Sequence, residues 1–466
     1  MSDRADAGVA AGVTGAPEED GPRLWTGWGR TAPTAARAVR PSSDADVVAA
    51  VAAPARAVLA RGLGRCYGDA AQSAGGRIVS TSGLSGLVLD EDSGTAVVGA
   101  GCSLDRLLRE LVPRGWFVPV VPGTRYVTVG GAIAADVHGK NHHVDGSFGQ
   151  HVRRLDLVDG TAEVRRLSPV DDPDAFWATV GGLGLTGVVT RAELQLRRIG
   201  SSWMRVTTAR AGGLGELLTA LEDHDRRYRY TVAWIDLAAG GRALGRGVLT
   251  SGDHADGDEV RAAHGGDPLA YRPGARLTVP PVPVSAVNRL GVRMFNELWF
   301  RKAPVYREAE LQPMQTFFHP LDGVRDWNRV YGPRGFLQYQ FVVPDGREDV
   351  LEDVIGGLQR TGAEAFLAVL KRFGDAGPAP LSFPRRGWTL AMDLPVRAPD
   401  RLARALDALD AQVADAGGAV YLVKDARCRP DLVERMYPQL PAWRAVRDRL
   451  DPQRRFRSDL SRRLDL

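Results

Sequence analysis

The sequence predicts an α+β protein of at least two parts. Its 466 residues are too many for one hydrophobic core, so we expect two or three domains. Before residue 202, short strand patterns are mixed with helical ones. Beyond it, apolar runs at residues 230–236 and 336–343 predict the strands of a second sheet. The mixture in the first part and the separate sheet in the second together indicate the α+β class.

The first part is predicted to contain short elements joined by glycine-rich loops. Its first helical pattern, residues 44–60, is amphipathic and runs into a short strand. A second helix is expected at residues 104–112. Residues 117–121 are extended, although Pro119 limits them to the edge of a sheet. The remaining strands are expected at residues 78–89, 95–98, 155–158 and 188–196.

The second part is interrupted by a long irregular segment. Residues 268–304 are rich in proline, apolar residues and arginine, which predicts a surface loop or lid with an apolar inner face. Apolar periodicity then predicts helices at residues 350–360 and 401–416. A strand is expected at residues 420–423, followed by Lys424. Most such lysines are solvated, but a lysine at a strand end can also bind an anionic ligand.

Charge and cysteine content argue against several classes of protein. The net charge of +4 comes from 60 basic and 56 acidic residues without a polybasic block, so nucleic acid is not expected as a partner. Cys66, Cys102 and Cys428 are odd in number and far apart, which argues against a disulfide framework or a zinc site. Residues 1–22 are rich in alanine, glycine and acidic residues, and we expect them to be a disordered tail.

The chain shows neither a secretory signal nor a membrane-spanning segment. Its N-terminal residues lack a basic region followed by an apolar one. The longest apolar stretch, residues 47–60, is broken by Pro54 and Arg56. We therefore expect a cytoplasmic protein or one in peripheral contact with a membrane, and the sequence leaves the periplasmic side open.

Two glycine-rich segments indicate a binding site. Gly62, Gly64 and Gly68 fit ordinary turns, but such a loop can also cradle a pyrophosphate with its backbone N–H groups. A second segment, residues 123–131, favours a large cofactor. Residues 182–187 match the G-x-G-x-x-G pattern, but a helical pattern precedes them and a strand follows. That order is the reverse of a dinucleotide-binding fold, so we expect a tight turn there.

Titratable side chains follow directly after the second glycine-rich segment. Four of the chain's eight histidines lie between His138 and His151. His138 and His142 have the i, i+4 spacing of metal ligands, but Gly139 and Asn141 disfavour a helix. We therefore expect His138 to form part of an active-site wall, and we expect no metal.

Together these motifs resemble the FAD domain of the vanillyl-alcohol-oxidase (p-cresol methylhydroxylase) superfamily and, within it, the family of decaprenylphosphoryl-β-D-ribose 2′-oxidases. The resemblance lies in residues 61–69 (RGLGRCYGD), 122–124 (PGT), 128–132 (TVGGA) and 138–143 (HGKNHH). It extends over nearly the whole chain after residue 23. Supporting segments are residues 176–182, 297–299, 319–322, 327–329, 336–341, 381–384 and 424–425.

The resemblance implies a p-cresol-methylhydroxylase-type FAD-binding domain, formed by residues 23–201 and completed by a C-terminal return, residues 418–466. Residues 202–417 would form a substrate-binding domain with an antiparallel sheet over the FAD. The implied activity is FAD-dependent oxidation of the 2′-hydroxyl of a polyprenyl-phosphoryl-β-D-ribose to the 2′-keto sugar. A partner keto-reductase would then complete epimerisation to the arabinose donor for cell-wall arabinan.

Two other functions stay open at this point. An aldonolactone or alditol oxidase of the same superfamily would act on a small soluble sugar and would need no lid that faces a lipid. A catalytically silent flavin-fold binding subunit is disfavoured, because His138, Lys140 and Lys424 are all present.

The resemblance assigns site residues position by position. His138 and Lys424 would be catalytic. The substrate would meet Lys140, Trp234, Gln338, Gln340, Lys371, Phe373 and Lys424. FAD would be bound by Arg61, Gly62, Leu63, Gly64, Arg65, Cys66, Tyr67, Gly68, Asp69, Gly123, Thr128, Val129, Gly130, Gly131, Ala135, Asp136, Val137, His138, Val189 and Tyr421.

Two features of this chain refine those expectations. Relatives that tether FAD through the first loop use a histidine, and residues 61–72 contain none, so FAD is expected to be non-covalent. Ala391, Thr389 and Phe318 stand where many relatives have Cys, Asn and Tyr. These departures put fine contacts with substrates and inhibitors in question, whereas the FAD segments are intact.

Overall fold

The computed structural model describes residues 21–275, 277–362, 365 and 367–466, and it confirms the α+β class. Most of the segment 1–22, expected to be a disordered tail, lies outside the described residues. The main sheets have four, five and eight strands, and two small pairings have two strands each. The first two sheets come from the chain before residue 202, and the eight-stranded sheet comes from the chain after it.

The elements before residue 202 are short. The strands are β1 Arg23–Trp25, β2 Thr34–Val39, β3 Val58–Arg61, β4 Arg77–Ser80, β5 Leu87–Asp90, β6 Thr95–Gly99, β7 Trp116–Phe117, β8 Val152–Val158, β9 Val164–Leu167, β10 Val188–Gln195 and β11 Arg197–Arg198. The helices are α1 Asp44–Ala52, α2 Leu104–Leu111, α3 Val129–Ala134, α4 His142–Asp145 and α5 Pro173–Thr179. The strand orders are β1-β2-β4-β3 and β5-β6-β10-β8-β9, and the second of these sheets is antiparallel throughout.

Side-chain caps set the starts of the helices in this part. Ser43 forms a capping box at the start of α1, and Oγ of Ser103 accepts from the backbone in α2. Oγ1 of Thr128 accepts from the amide of Gly131 in α3. A small hydroxyl residue directly before an apolar run satisfies one of the free N–H groups of the first turn. These helix starts are therefore encoded locally.

The second part is dominated by an antiparallel sheet of order β16-β12-β14-β13-β19-β20-β18-β21. Its strands and a small pairing are β12 Trp203–Ala211, β13 Tyr230–Ile235, β14 Gly247–His254, β15 Leu277–Thr278, β16 Tyr306–Pro313, β17 Val324–Arg325, β18 Phe336–Val343, β19 Ala368–Phe373, β20 Gly387–Pro395 and β21 Ala419–Val420. The helices are α6 Leu214–Arg227, α7 Gly257–His264, α8 Arg289–Lys302, α9 Met314–Phe318, α10 Glu348–Thr361, α11 Pro399–Asp415, α12 Pro430–Met436, α13 Leu440–Leu450 and α14 Asp459–Leu464. Apolar residues of α6, α10 and α11 join one face of the sheet in a single buried core.

The C-terminal segment contacts both parts of the molecule. Its first strand, β21, pairs with β18, so the segment 418–466 begins in the second sheet. Nε1 of Trp443 then donates to the carbonyl of Ala178 at 2.9 Å, and Arg463 binds the carboxylate of Asp69 at 2.9 and 3.0 Å. These contacts hold the last helices against the first part. The predicted domain limits remain a proposal.

The prediction for residues 268–304 was wrong in its second half. Residues Arg289–Lys302 form α8, which starts at the side-chain cap of Asn288. All prolines of the segment lie outside α8, so none interrupts its backbone hydrogen bonds. Its large apolar side chains are mostly exposed rather than on an inner face, among them Leu277, Val284, Leu290, Met294, Leu298 and Trp299. Among the described helices, none combines the length and apolar character needed to cross a membrane.

Candidate functional site

The two glycine-rich segments predicted to bind FAD lie in contact. The first begins where β3 ends, and the second leads into α3. A Cβ on Gly62 would stand 2.2 Å from Oγ1 of Thr128, so only glycine allows this approach. Gly64 has a φ of 65°, a conformation that residues with side chains rarely adopt. The glycines that suggested a cofactor loop are therefore required by the backbone of that loop.

The first loop presents backbone donors that the protein itself does not use. The amide N–H groups of residues 63–65 donate to no backbone acceptor within the described ranges. The Arg61 guanidinium donates to the carbonyls of Ala71 and Thr26 at 2.6 and 2.7 Å, which fixes the shape of the loop. Consecutive unpaired N–H groups form the donor set that binds a pyrophosphate. The Arg61 side chain thus supports the loop, and the amides remain for the anion.

Asp136 organises the turn between α3 and His138. Its carboxylate accepts from Oγ of Ser147 at 2.8 Å, from the amide of Gly149 at 2.9 Å and from the hydroxyl of Ser382. Burial raises the pKa of Asp136, and the three donors act in the opposite direction. Its φ of 38° is unusual for a residue with a side chain. Asp136 therefore fixes the turn between α3 and His138 through its hydrogen bonds to Ser147, Gly149 and Ser382.

His138 lies where the two parts of the molecule meet. Its Nε2 accepts from Nε2 of Gln340 at 3.1 Å, and the rings of Phe373, Phe383 and Tyr421 lie 4.8 to 5.7 Å from its own. Burial, and then the charges of nearby lysines, hold the pKa of His138 well below its usual value. The imidazole is therefore neutral with its proton on Nδ1. Among the described residues, Nδ1 has no partner, so it can donate to a bound ligand.

The predicted substrate residues of the second part share one face of the eight-stranded sheet. Residues two apart in a strand point the same way, as Lys371 and Phe373 do in β19. Directly paired residues of neighbouring strands also share a face. The register supplies the pairs Lys371–Thr389, Gln340–Ala391, Gln338–Asp393 and Trp234–Val369. This face lies opposite to the one covered by α6, α10 and α11, and it meets His138 through Gln340 and Phe373.

Three lysines bring positive charge to this face. The ammonium group of Lys140 donates to the carbonyl of Phe317, and that of Lys424 lies 4.0 Å from the ring centre of Tyr67. Burial lowers the pKa of Lys140 and Lys371 to about 7 and that of Lys424 to about 8. The charges of Lys424 and Lys140 also lower the pKa of Lys371. Cations held this closely favour an anionic ligand.

Lys424 reaches this sheet face from a turn rather than from a strand end. The strand expected at residues 420–423 is shorter, because the amide of Lys424 donates to the carbonyl of Tyr421 at 2.9 Å and closes a turn. The hydroxyl of Tyr421 donates to the carbonyl of Ala135 at 2.7 Å. The turn is thereby fixed to the end of α3, next to the second glycine-rich segment.

Asp393 is a residue of this face that the sequence prediction missed. It is buried in β20, where its Oδ1 accepts from Nε2 of Gln338 at 2.6 Å. Burial raises the pKa of Asp393 to about 7, and its charge raises the pKa of Lys424. The sequence held a signal, since a carboxylate inside the apolar run 390–394 needs a partner when that run is buried.

Other residues named in the sequence analysis pack against, or form hydrogen bonds with, neighbouring parts of the protein. Phe318 packs edge-on against Tyr230, with ring centres 4.9 Å apart, and Val189 is buried in β10. Nδ1 of His142 accepts from the amide of Gly374 at 3.2 Å. Across the described ranges, no group of three or more His, Cys, Asp or Glu side chains could hold a metal ion.

Comparison with known proteins identifies the first part. A family model described as an FAD binding domain matches residues 35–168. Decaprenylphosphoryl-beta-D-ribose oxidase of Mycolicibacterium smegmatis is 42% identical over 449 residues, which cover 94% of this chain and 97% of that protein. An uncharacterized protein of Streptomyces coelicolor is 41% identical over 377 residues, 78% of this chain and 100% of its own. Cytokinin dehydrogenase 2 of Arabidopsis thaliana is 32% identical over 163 residues, 34% of this chain and 32% of its own.

An FAD-binding domain that faces a sheet of polar and cationic side chains defines an FAD-dependent oxidoreductase, as predicted from the sequence. The 42% identity to the Mycolicibacterium smegmatis oxidase, along almost the whole length of both chains, identifies the family within this class of enzymes. The protein belongs to the family of decaprenylphosphoryl-β-D-ribose oxidases.

The residues present fit FAD. The unpaired amides of residues 63–65 suit the pyrophosphate, and the contact of Gly62 with Thr128 brings the two loops together. A Cβ on Gly123 would meet nothing within 4 Å, so the second segment leaves space beside it. When bound, FAD supplies a two-electron acceptor.

Proposed function

We propose that this protein oxidises the 2′-hydroxyl of a polyprenyl-phosphoryl-β-D-ribose to the 2′-keto sugar, with FAD bound non-covalently. The observation that carries the proposal is the grouping of Lys140, Lys371 and Lys424 around the sheet face next to His138. A phosphodiester placed there would meet the positive potential of all three lysines. The near full-length similarity to an oxidase named for a phosphoryl-ribose substrate supports the same assignment.

Amide and aromatic side chains on this sheet face suit the sugar of such a substrate, and the lysines suit its phosphate. Gln338 and Gln340 offer amide groups for sugar hydroxyls, and Trp234 offers an aromatic surface on the same face. Lys140 and Lys371, whose contacts are with backbone carbonyls, are assigned to the phosphate. His138 Nδ1–H is assigned to hold an oxygen atom at the edge of the cofactor.

The oxidation removes a proton from the hydroxyl oxygen and a hydride from the carbon that bears it. The electron pair of the broken C–H bond leaves with the hydride to the two-electron acceptor, and the carbon–oxygen bond becomes double. The proton needs a side chain that is unprotonated near neutral pH. Asp393, with a pKa of about 7, is such a group on this sheet face, whereas Lys140 and Lys371 stay protonated beside the bound phosphate. Protonated Lys424 is assigned to stabilise the negative charge that accompanies hydride transfer.

A keto product and a lipid-linked substrate define two further partners of the proposed reaction. A separate keto-reductase would reduce the 2′-ketone from the opposite face and so produce the arabinose epimer used for cell-wall arabinan. The polyprenyl tail would keep the substrate in a membrane, so the enzyme would work in peripheral contact with one.

The test is anaerobic mixing of the holoenzyme with a short-chain polyprenyl-phosphoryl-β-D-ribose. The expected result is loss of the oxidised-flavin absorbance and a product lighter by two hydrogen atoms, with the ketone at C2′. The matched control is the same polyprenyl phosphate without the sugar, which should bind without bleaching the flavin. Free pentoses, alditols and aldonolactones are tested alongside.

Efficient flavin reduction by a free alditol or lactone, with none by the phosphoryl ribose, would replace the proposal with a soluble-sugar oxidase. Failure of all these substrates to bleach the flavin would favour a silent binding subunit. Reduction by the phosphoryl-ribose alone supports the proposal, and kcat/KM for the lipid-linked and free sugars measures the preference.

A further inference from the structure

We infer that α8 docks this protein on an anionic lipid surface. Nine of the sixteen large apolar side chains that are exposed within the described residues lie in one short stretch of the chain. They are Leu277, Val284, Leu290, Met294, Phe295, Leu298, Trp299, Val305 and Tyr306. Such a concentration marks an interaction surface, because scattered single exposed apolar residues are the normal case. The inference deepens the proposed function, on whose lipid-linked substrate it rests.

The faces of α8 are sharply divided. Val292 and Asn296 are one turn apart and buried, so they define the face that contacts the protein. Leu290, Met294 and Leu298 follow one another at intervals of four residues on the opposite side and are 58 to 69% exposed. The helix therefore shows solvent an apolar row that nothing in the described chain covers.

The inner face holds α8 in one orientation. Nδ2 of Asn296 donates to Oδ1 of Asp236 at 2.7 Å, and Glu297 pairs with Arg246 at 2.6 Å. These bonds connect the helix to both ends of the loop between β13 and β14. A fixed helix can present its outer face as a rigid surface, so no folding step is needed on docking.

The charge of the segment matches an anionic surface. Residues 268–304 contain six basic residues and one acidic residue, whereas the whole chain has a net charge of only +4. Of these, Arg289, Arg293, Arg301 and Lys302 belong to α8, and the acidic residue Glu297 already pairs with Arg301. Basic residues beside an exposed apolar row are the pattern of helices that lie in the headgroup region of anionic membranes.

Aromatic side chains of α8 favour a membrane over a protein partner with an acidic groove. The rings of Phe295 and Trp299 stack with centres 5.9 Å apart, and both are exposed by 40% or more. Exposed Tyr306 follows at the start of β16. Trp and Tyr are the residues enriched at the boundary between headgroups and acyl chains.

The docking face is also close to the proposed active site. Val292 on the inner side of α8 belongs to a buried cluster with Tyr331 and Phe336, and the ring of Phe336 packs against Tyr67 with centres 5.5 Å apart. Tyr67 in turn lies under the ammonium group of Lys424. Two successive rings, Phe336 and Tyr67, therefore connect the inner side of α8 to Lys424, so a polyprenyl tail leaving the proposed active site would have a short path to the bilayer.

The experiment measures sedimentation of the holoenzyme with substrate-free vesicles. Vesicles of phosphatidylcholine are compared with vesicles that also contain phosphatidylglycerol. Wild-type protein should bind the anionic vesicles and bind the neutral ones weakly. The variant Met294→Ser/Leu298→Ser should lower the partition coefficient at least about tenfold, since both side chains insert. Arg293→Gln/Lys302→Gln should lower it about tenfold on anionic vesicles only.

Matched controls separate docking from folding and from catalysis. Val88→Ser/Val170→Ser removes two exposed apolar side chains elsewhere, and Arg404→Gln removes an exposed charge on α11; both should bind like wild type. FAD content and the rate of flavin reduction by a short-chain substrate without vesicles should be unchanged in every variant. If the wild-type protein binds anionic vesicles but its flavin is not reduced by the short-chain substrate, the proposed function is contradicted and the docking inference is not.

Three outcomes would overturn the inference. One is wild-type protein that stays in solution with anionic vesicles. Another is α8 variants that bind as tightly as wild type. The third is a concentration-dependent dimer that Met294→Ser/Leu298→Ser abolishes in the ultracentrifuge, without vesicle binding, because the face would then belong to a second copy of this chain.

Discussion

The side-chain nitrogen of Gln340 lies 3.1 Å from Nε2 of His138, and this hydrogen bond joins the eight-stranded sheet to the segment that follows α3. Gln340 is on β18, and His138 follows the helix that starts at Thr128. The amide nitrogen of Gln340 is a donor, so Nε2 of His138 must be unprotonated and the imidazole neutral. The low pKa of His138 has the same consequence.

Replacing this donor should change the ionisation of His138. Gln340→Glu places a carboxylate beside the ring and raises the pKa of His138 toward neutral pH. We expect the rate of flavin reduction to show a histidine titration between about pH 5 and 8 that wild type lacks. Gln340→Leu leaves the nitrogen unpaired and should destabilise the fold by about 1–3 kcal/mol. Gln312→Glu, in β16 and away from His138, is the control. Identical pH profiles for Gln340→Glu and wild type would show that Gln340 does not control the ionisation of His138.

Lys424→Met should slow flavin reduction far more than it weakens substrate binding. A charge about 4 Å from the developing negative charge contributes roughly 4 kcal/mol at an effective dielectric constant of about 20, or up to about a thousandfold in rate before desolvation is discounted. Lys371→Met is the contrast, since its proposed contact with phosphate should raise KM at nearly constant kcat. The measurement is stopped-flow reduction at saturating substrate after FAD content is checked. A normal rate in folded, FAD-loaded Lys424→Met would rule out the role.

Substrate affinity should fall as pH rises above about 7. Lys140 and Lys371 have pKa values of about 7 in the free protein, and a bound phosphodiester raises them. Below pH 7 these lysines are charged in the free and bound protein alike, so affinity is constant. Above it, each proton taken up on binding raises Kd by up to about tenfold per pH unit. Calorimetry of substrate binding at pH 8, in two buffers of different ionisation enthalpy, should reveal net proton uptake. If no proton is taken up, Lys140 and Lys371 do not bind the phosphate.

The same lysines predict how stability of the substrate-free protein depends on pH. Their folded pKa lies below the ordinary value of 10.5, so between about pH 7 and 10 the unfolded chain binds more protons than the folded one. The contribution of these lysines to the free energy of unfolding therefore increases with pH in this range. Lys371→Met should flatten that slope and raise the thermal midpoint. Lys302→Met, at the exposed end of α8, should leave both unchanged.

Asp393→Asn should slow the reaction, because it removes the group assigned to take the hydroxyl proton, and it should also move the pH dependence that Lys424 imposes on the remaining rate. The Asp393 carboxylate raises the pKa of Lys424, so its removal lowers that pKa below about 8. Loss of rate at alkaline pH should then begin at lower pH, because the protonated fraction of a lysine falls about tenfold for every pH unit above its pKa. The Asn side chain keeps an oxygen to accept from Gln338, so folding should be preserved. An alkaline limb at the wild-type position would show that Lys424 does not depend on Asp393.

FAD should be released when the protein is denatured with acid. The first loop has no histidine, and burial raises the pKa of the Cys66 thiol, which keeps it protonated and unreactive. After precipitation the yellow colour should appear in the supernatant for wild type and for Cys66→Ser alike. Colour that stays with the wild-type pellet but not with the Cys66→Ser pellet would show a covalent bond to this thiol.

The sequence by itself determined the features that depend on short stretches of chain. The glycine at position 62 marks a close approach of backbone, and the hydroxyl residue Thr128 before the run 129–134 marks the start of α3. Strands such as β13 and β18 follow from their own apolar pattern. The FAD segments carry enough local chemistry to indicate the cofactor, because backbone amides and glycines bind it within a few residues of one another.

Only the tertiary structure decided which distant residues meet. Trp234, Lys371, Ala391 and Gln340 come from four strands, and the antiparallel register alone places them on one face. The burial of Asp393, and hence its raised pKa, also depends on neighbours far along the chain. The prolines around α8 suggested irregular structure. The segment is nevertheless helical, because none of these prolines lies within it and Asn296 anchors it to Asp236. Burial and register are properties of packed elements, so local sequence patterns indicate where the elements are, and packing decides which of their side chains form the site.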